Sequence, residues 1–388
     1  MPVWHRLRGP GPPSIRTGSF PLAVGRHSLG VIGASGGPGR RVVRKMISRA
    51  RALSVTAAAA AASVIAALAR NPVVRQELRW VARFARPLRR GAHLPPVPPY
   101  LPPGQVVNLP GRGEVFVRDS GGAAADPAVL LLHGWTASAD LNFFPVYGEL
   151  ASSYRVIALD LRGHGRGMRS TERFSLEDCA DDAAALLGEL GAGHVIVVGY
   201  SMGGPVGLLL ARRHPGRVAA LVMQATALDW RREPHERMIW RLLSVLELGL
   251  RLGTGAGFVE RVLRQAIEEA PELDVLRPWL AAEFRRGLAR ELADAGRALS
   301  LYDAQPWAGQ LGLPAAMLIT TRDRLVRPSK QRELAEALRA HVIEIDADHD
   351  LPLVRGDEYA RLTRLAVDTA AAAAGLKVPA SPPTRQAG

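Results

Sequence analysis

In the stretch HVIVVGYSMGGP, residues 194–205, a run of Val and Ile ends on Ser201, which stands two residues after Gly199 and two before Gly203. A hydroxyl in that position has three uses: an ordinary turn residue, a phosphate contact, or a nucleophile. The last needs a base beside it, because a free alcohol is far too weakly acidic to attack at neutral pH. Other apolar runs in the chain also end at chemically active side chains. Residues 128–132 lead into His133-Gly134-Trp135, 154–160 into Arg162-Gly163-His164-Gly165, 314–321 into Asp323, and 341–346 into His349. A hydroxyl, a carboxylate and an imidazole, each placed after a separate apolar run, are the parts of a relayed nucleophilic attack.

The elements that must position these residues are given by the same runs. GQVVNLPGRGEVFVRD predicts a hairpin, with strands near 105–109 and 114–119 around Pro-Gly-Arg-Gly. Next come AVLLL (128–132), YRVIALD (154–160), HVIVVG (194–199), VAALVMQA (218–225), PAAMLITT (314–321) and HVIEID (341–346). Helical patterns alternate with them, such as SLEDCADDAAALLGEL with Ser175 as N-cap and acids in its first turn. Continuous apolar strands joined by crossover helices predict an eight-stranded, mostly parallel sheet covered by helices on both faces. Ligands of such sheets sit beyond the C-terminal strand ends, which places Ser201, Asp323 and His349 on one edge. At Ser201 the chain must turn abruptly from strand to helix, and the flanking glycines are expected to permit that turn without a Cβ clash. The hydroxyl then stands at a helix N-terminus, where backbone N–H groups favour developing negative charge.

On those residues, the chain from about 104 to 375 resembles the α/β-hydrolase fold superfamily, in its serine-nucleophile, capped, esterase- or lipase-like branch. Gly199 to Gly203 matches that family's G-x-S-x-G nucleophile elbow, His133-Gly134-Trp135 its oxyanion loop, and Asp160 to Gly165 (DLRGHG) the turn after its fourth strand. The order Ser201, Asp323, His349 matches its triad. The resemblance implies Ser201 as nucleophile, His349 as base and Asp323 as the orienting acid, with the backbone N–H groups of Trp135 and Met202 as oxyanion donors. His133, Gly134, Gly199 and Gly203 would support the loop and the elbow. His341 also comes after the acid, but it begins its strand, about 15 Å from the edge that carries Ser201. Asp229, after the 218–225 strand, is a rival acid, whereas Asp160 and His164 read as structural. Relatives often carry a glycine-rich turn before the histidine; here the stretch is Asp346-Ala347-Asp348-His349-Asp350, whose carboxylates would favour imidazolium. Epoxide hydrolase and dehalogenase chemistry is disfavoured, because those relatives use an aspartate where this chain has Ser201.

Bulk composition narrows the function classes. The chain has 388 residues, 47% hydrophobic and 22% charged, which suits a globular protein. Its net charge of +14 is unevenly spread: residues 1–103 carry 17 Lys/Arg against the single acid Glu77, leaving 33 basic and 35 acidic residues in 104–388. No nucleic-acid partner is expected, since the cations lie off the folded part. The lone cysteine, Cys179, excludes an intramolecular disulfide and a cysteine metal cluster, and reads as a small core residue.

Six regions are expected. Residues 1–45 are a disordered lead in which VIGASGGPGR (31–40) imitates a dinucleotide loop without its acidic partner. Residues 46–103 are a basic, Ala-rich, membrane-proximal segment ending in the Pro-rich spacer PPVPPYLPP (95–103). The uncharged run 52–69 has the length of a minimal membrane span, and 46–69 also has a signal-like pattern. VVRQELRWVARFARPLRR (73–90) has the pattern of a helix lying on an anionic membrane surface, which leaves membrane-associated, cytoplasmic and secreted locations as alternatives. Residues 104–227 and 313–375 form the two parts of the core, 228–312 a helical cap, and 376–388 a disordered tail. The function expected is cleavage of a small, apolar carboxylic ester through an acyl-enzyme, with no cofactor and no metal. The same residues would serve thioester or C–C bond hydrolysis, perhydrolysis or acyl transfer, and a catalytically silent lipid-binding or scaffold protein is the competing class.

Overall fold

The structure, a computed structural model, describes residues 99–122, 127–234, 236, 237, 240, 264–287 and 289–377. The expected lead 1–45, the runs at 52–69 and 73–90, the MIWRLLSVLELGLRL stretch of the expected cap apart from Trp240, and most of the C-terminal tail lie outside the described residues. Among the described residues no helix is long and apolar enough to cross a membrane.

Eight strands form one sheet: β1 (Gly104–Leu109), β2 (Gly113–Asp119), β3 (Ala128–Leu132), β4 (Arg155–Leu159), β5 (Val195–Tyr200), β6 (Val218–Gln224), β7 (Ala315–Thr320) and β8 (His341–Ile345). Their order is β1-β2-β4-β3-β5-β6-β7-β8. The β1/β2 and β2/β4 pairs are antiparallel and every other pair is parallel.

Successive residues of the central strands enter two different cores. Leu130, Leu132, Val195 and Val197 pack into one, while Val129, Leu131, Ile196 and Val198 pack into the other. Two-sided burial is why these strands are unbroken Val/Ile/Leu runs instead of alternating with polar residues. Each such side chain, fully withdrawn from water, contributes about 1.5–3 kcal/mol of hydrophobic transfer energy.

Short helices α1 (Ala139–Phe143) and α2 (Tyr147–Ala151) come after β3, and α3 (Leu176–Glu189) after β4. The α3 N-cap is Ser175, whose Oγ accepts the Asp178 N–H, and acids Glu177 and Asp178 occupy its first turn. Cys179 is buried on this helix, and burial pushes its thiol pKa up. Helix α4 (Gly203–Arg213) leaves directly from the end of β5. Between β6 and β7 an insertion includes α5 (Arg277–Phe284) and α6 (Ala289–Leu301). The last helices are α7 (Pro328–Leu338), α8 (Leu351–Val354) and α9 (Gly356–Ala373). Tyr359, Leu362, Ala366 and Val367 of α9 close the second core.

Candidate active site

Ser201 sits where β5 turns into α4, with backbone φ of +52°, and its side chain is buried at 4% relative exposure. A left-handed serine costs about 1–3 kcal/mol, so its surroundings must hold it there. Its N–H donates to the Gln224 carbonyl of β6 and its own carbonyl accepts the Gly204 N–H, both at 2.9 Å. The flanking glycines serve as the sequence suggested, by leaving out a Cβ that would clash at the turn. Neither has a positive φ; the serine itself carries the unusual conformation. Glycine is needed because the backbones approach so closely: a Cβ on Gly199 would stand 2.6 Å from the Gly203 carbonyl oxygen, and one on Gly203 only 1.9 Å from that of Leu132.

His349 lies beyond the end of β8 on the Ser201 edge of the sheet. Its Nε2 is 3.1 Å from Ser201 Oγ and its Nδ1 2.8 Å from Asp323 Oδ2. The carboxylate only accepts, so Nδ1 carries the proton and Nε2 is left to receive the serine hydroxyl. Asp323, 3% exposed, is itself held by four groups. Oδ1 accepts the Leu325 and Val326 N–H groups, and Oδ2 accepts the Thr320 hydroxyl and the Gln331 amide. Burial alone would lower the His349 pKa, but the charge and hydrogen bond of Asp323, with Asp348 and Asp350, raise it above its ordinary value.

The loop after β3 touches the same point, since a Cβ on Gly134 would meet Ser201 Cβ at 3.2 Å. His133 Nε2 accepts the Leu161 N–H at 2.9 Å, which leaves its Nδ1–H to donate to the Gly134 carbonyl at 2.8 Å. That carbonyl and the Trp135 N–H belong to one planar trans peptide and point in opposite directions, so holding one aims the other. Burial pushes the His133 pKa down to about 4, which keeps the ring neutral and this hydrogen-bond pattern intact. Asn142 Oδ1 accepts the Gly134 N–H at 2.8 Å. Among the described residues, neither the Trp135 nor the Met202 backbone N–H has an acceptor.

The other sequence candidates fall elsewhere. Asp229 pairs with Lys330 at 2.8 Å and accepts from Gln305, and it does not meet His349. His341 is exposed at the start of β8. Asp160 accepts the Ala139 and Arg166 N–H groups, and the His164 ring bonds the Arg162 carbonyl. Sequence reasoning missed Tyr200, Thr320, Gln331 and Asn142, whose partners are fixed only by the fold. It also missed Glu283 of α5, buried between Ser138, Arg166 and Arg286. Among the described residues no group of three or more His, Cys, Asp or Glu is placed to hold a metal ion.

An imidazole bridging a strained hydroxyl and a buried carboxylate can take the hydroxyl proton as the oxygen attacks, and free N–H groups nearby can receive negative charge. The model of the alpha/beta hydrolase fold matches residues 127–268. Over 216 residues the chain is 32% identical to the pimeloyl-[acyl-carrier protein] methyl ester esterase of Chromobacterium violaceum, covering 55% of this chain and 82% of that protein. It is 37% identical over 111 residues to a non-heme haloperoxidase of Rhodococcus erythropolis, covering 28% of this chain and 39% of that one. The enol-lactonase of Burkholderia xenovorans shares the fold, with a TM-score of 0.58 at 24% identity over 67% of this chain and 98% of the other. On the match of family model, sequence and fold, the chain belongs to the alpha/beta hydrolase family of enzymes.

Proposed function

We propose that the protein is a serine hydrolase that cleaves a small carboxylic ester, with an apolar acyl group, through an acyl-enzyme. The observation that carries this reading is the His349 ring lying between Ser201 Oγ and Asp323 Oδ2, at 3.1 and 2.8 Å. Ser201 Oγ attacks the ester carbonyl carbon while its proton passes to His349 Nε2, and Asp323 stabilises the imidazolium. The carbonyl oxygen, now negative, is received by the Trp135 and Met202 N–H groups. His349 returns the proton to the departing alcohol, leaving acyl-Ser201. A water molecule then gives a proton to His349 as it attacks the acyl carbon, and His349 passes that proton to Ser201 Oγ as the acid leaves, restoring the free serine and the neutral imidazole.

The insertion that contains α5 and α6 serves in this reading as the cap over the strand ends, excluding water from the reaction. Thioesters, C–C bonds, peroxide and acyl acceptors would use the same relay, and an aryl-ester series of increasing chain length against the corresponding thioesters separates them. Labelling with a fluorophosphonate tests the core of the reading. The wild type is expected to label and Ser201→Ala is not; a folded wild type that stays unlabelled would favour a silent lipid-binding protein. A tether to anionic membrane through residues 46–90 is a separate reading, and a fully soluble full-length chain on membrane fractionation would end it.

A further inference from the structure

The oxyanion loop is anchored to the insertion through Trp135. Its indole N–H donates to the Leu292 carbonyl of α6 at 2.7 Å. One turn further along α6 is Gly296, where a Cβ would stand 2.8 Å from Trp135 Cζ2, so the ring lies directly on the helix backbone. Trp240 covers it from another side, with ring centroids 6.0 Å apart. Immediately after Trp135 comes Thr136 at φ +65°, a conformation that strains a β-branched residue. The turn is closed by a 3.3 Å Ala137 N–H to Gly134 carbonyl bond. A strained turn persists only where its surroundings hold it, and here the holds are His133 and Asn142 from the core side and α6 from the insertion side.

We infer that α6, through the Leu292 carbonyl and the bare backbone at Gly296, sets the position of the Trp135 N–H, so that a seated insertion and a competent oxyanion site are one state. This rests on Trp135 being an oxyanion donor, as proposed above. Gly296 is then a positioning residue for the reaction, although it lies 161 positions from the loop it serves. The consequence is that p-nitrophenyl esters should feel a displaced α6 in the chemical step, because the donor acts on the charged intermediate and hardly on the ground state.

The test compares Trp135→Phe, which keeps a ring on α6 but removes the indole N–H, with Gly296→Ala, which pushes the ring outward. Both are assayed as full-length protein with p-nitrophenyl butyrate, kcat being normalised by fluorophosphonate end-point titration so that only folded sites count. The expected result is a fall in kcat of about tenfold or more with KM within about twofold of wild type. Leu301→Ser, at the exposed end of the same helix, should leave both constants unchanged. A kcat within about twofold of wild type in either variant, or a loss carried by KM, overturns the inference and makes Trp135 a packing or substrate contact. Ser201→Ala, run alongside, keeps the two readings apart. Residual turnover in that variant refutes the nucleophile assignment; an inert Ser201→Ala beside a normal Trp135→Phe refutes only the coupling.

Discussion

Tyr200 donates its phenolic hydrogen to the backbone carbonyl of His349 at 2.7 Å, so the residue just before the serine holds the loop that carries the imidazole. The tyrosine is buried, its ring 5.5 Å from that of His349 and 5.8 Å from Tyr359. Tyr200→Phe keeps this packing and removes the hydroxyl's bond to the His349 backbone. A stability loss of about 1–2 kcal/mol is expected from the unsatisfied carbonyl, together with a several-fold lower kcat. Denaturant melts and steady-state kinetics on the same preparation check both.

Asp323→Asn replaces an acceptor by a side chain that must choose between accepting from Leu325 and Val326 and facing His349 with its amide. With the amide toward Nδ1 the ring adopts the other tautomer and Nε2 carries a proton that blocks the serine. A fall in kcat of about 10³ to 10⁴ is expected with little change in folding. Retention of more than a tenth of the activity in ester hydrolysis would remove Asp323 from the relay.

The pH dependence of kcat/KM has a definite sign. In the proposed mechanism His349 acts as a base only when neutral, and its pKa is raised by Asp323, Asp348 and Asp350 against the effect of burial. Activity should therefore rise through a midpoint above 6.5, the ordinary histidine value. Asp348→Asn removes one of the raising charges and should move the midpoint down. A pH–rate profile of both proteins decides it; an unmoved or raised midpoint contradicts the electrostatic account.

Stability has its own pH dependence, through two buried histidines. Burial lowers His133 to about 4 and, with the neighbouring His133 charge, His164 to about 3. Lowered folded values mean that the unfolded chain binds protons first. The stabilisation is therefore complete above pH 6.5 and is lost as the pH falls toward 4, by about 1.4 kcal/mol per pH unit for each ring. His164→Phe, which replaces a ring whose Nε2 has no partner among the described residues, should flatten that slope. Urea midpoints measured at pH 7, 6 and 5 check the difference.

Glu283 of α5 is nearly inaccessible and receives hydrogen bonds from Arg166, Ser138 and Arg286, tying the insertion to the turn after β4. Removing one partner of a buried pair strands the other. Glu283→Ala should cost about 3 kcal/mol of stability, near the lower end for such losses because Arg166 keeps contacts to Asp140 and Asp160. The melting temperature of the full-length chain reads it.

Much of the framework is legible in the primary structure for a simple reason. Strands buried on both faces must be apolar at every position, so AVLLL and HVIVVG mark β3 and β5 to within a residue. Once the strands are marked, the parallel-sheet rule puts the residues just beyond their C-terminal ends on one edge, and Ser201, Asp323 and His349 stand out as the reactive groups there. The glycines were legible as positions where a Cβ would clash, but which backbone each one meets is visible only when Gly203 is found against the Leu132 carbonyl.

By itself, then, the order of residues determined the number and sequence of strands, the edge on which the reactive side chains emerge, and the uneven placement of charge between the first 103 residues and the rest. Tertiary structure alone decided that Asp229 turns to Lys330 instead of His349, that Gln331 and Thr320 hold Asp323, that Tyr200 holds the His349 loop, and that Trp135 rests on α6. The reason is physical. Periodicity and hydrophobicity report the environment of a residue along its own element, whereas hydrogen bonds between side chains far apart in sequence depend on distances that exist only after the elements have packed.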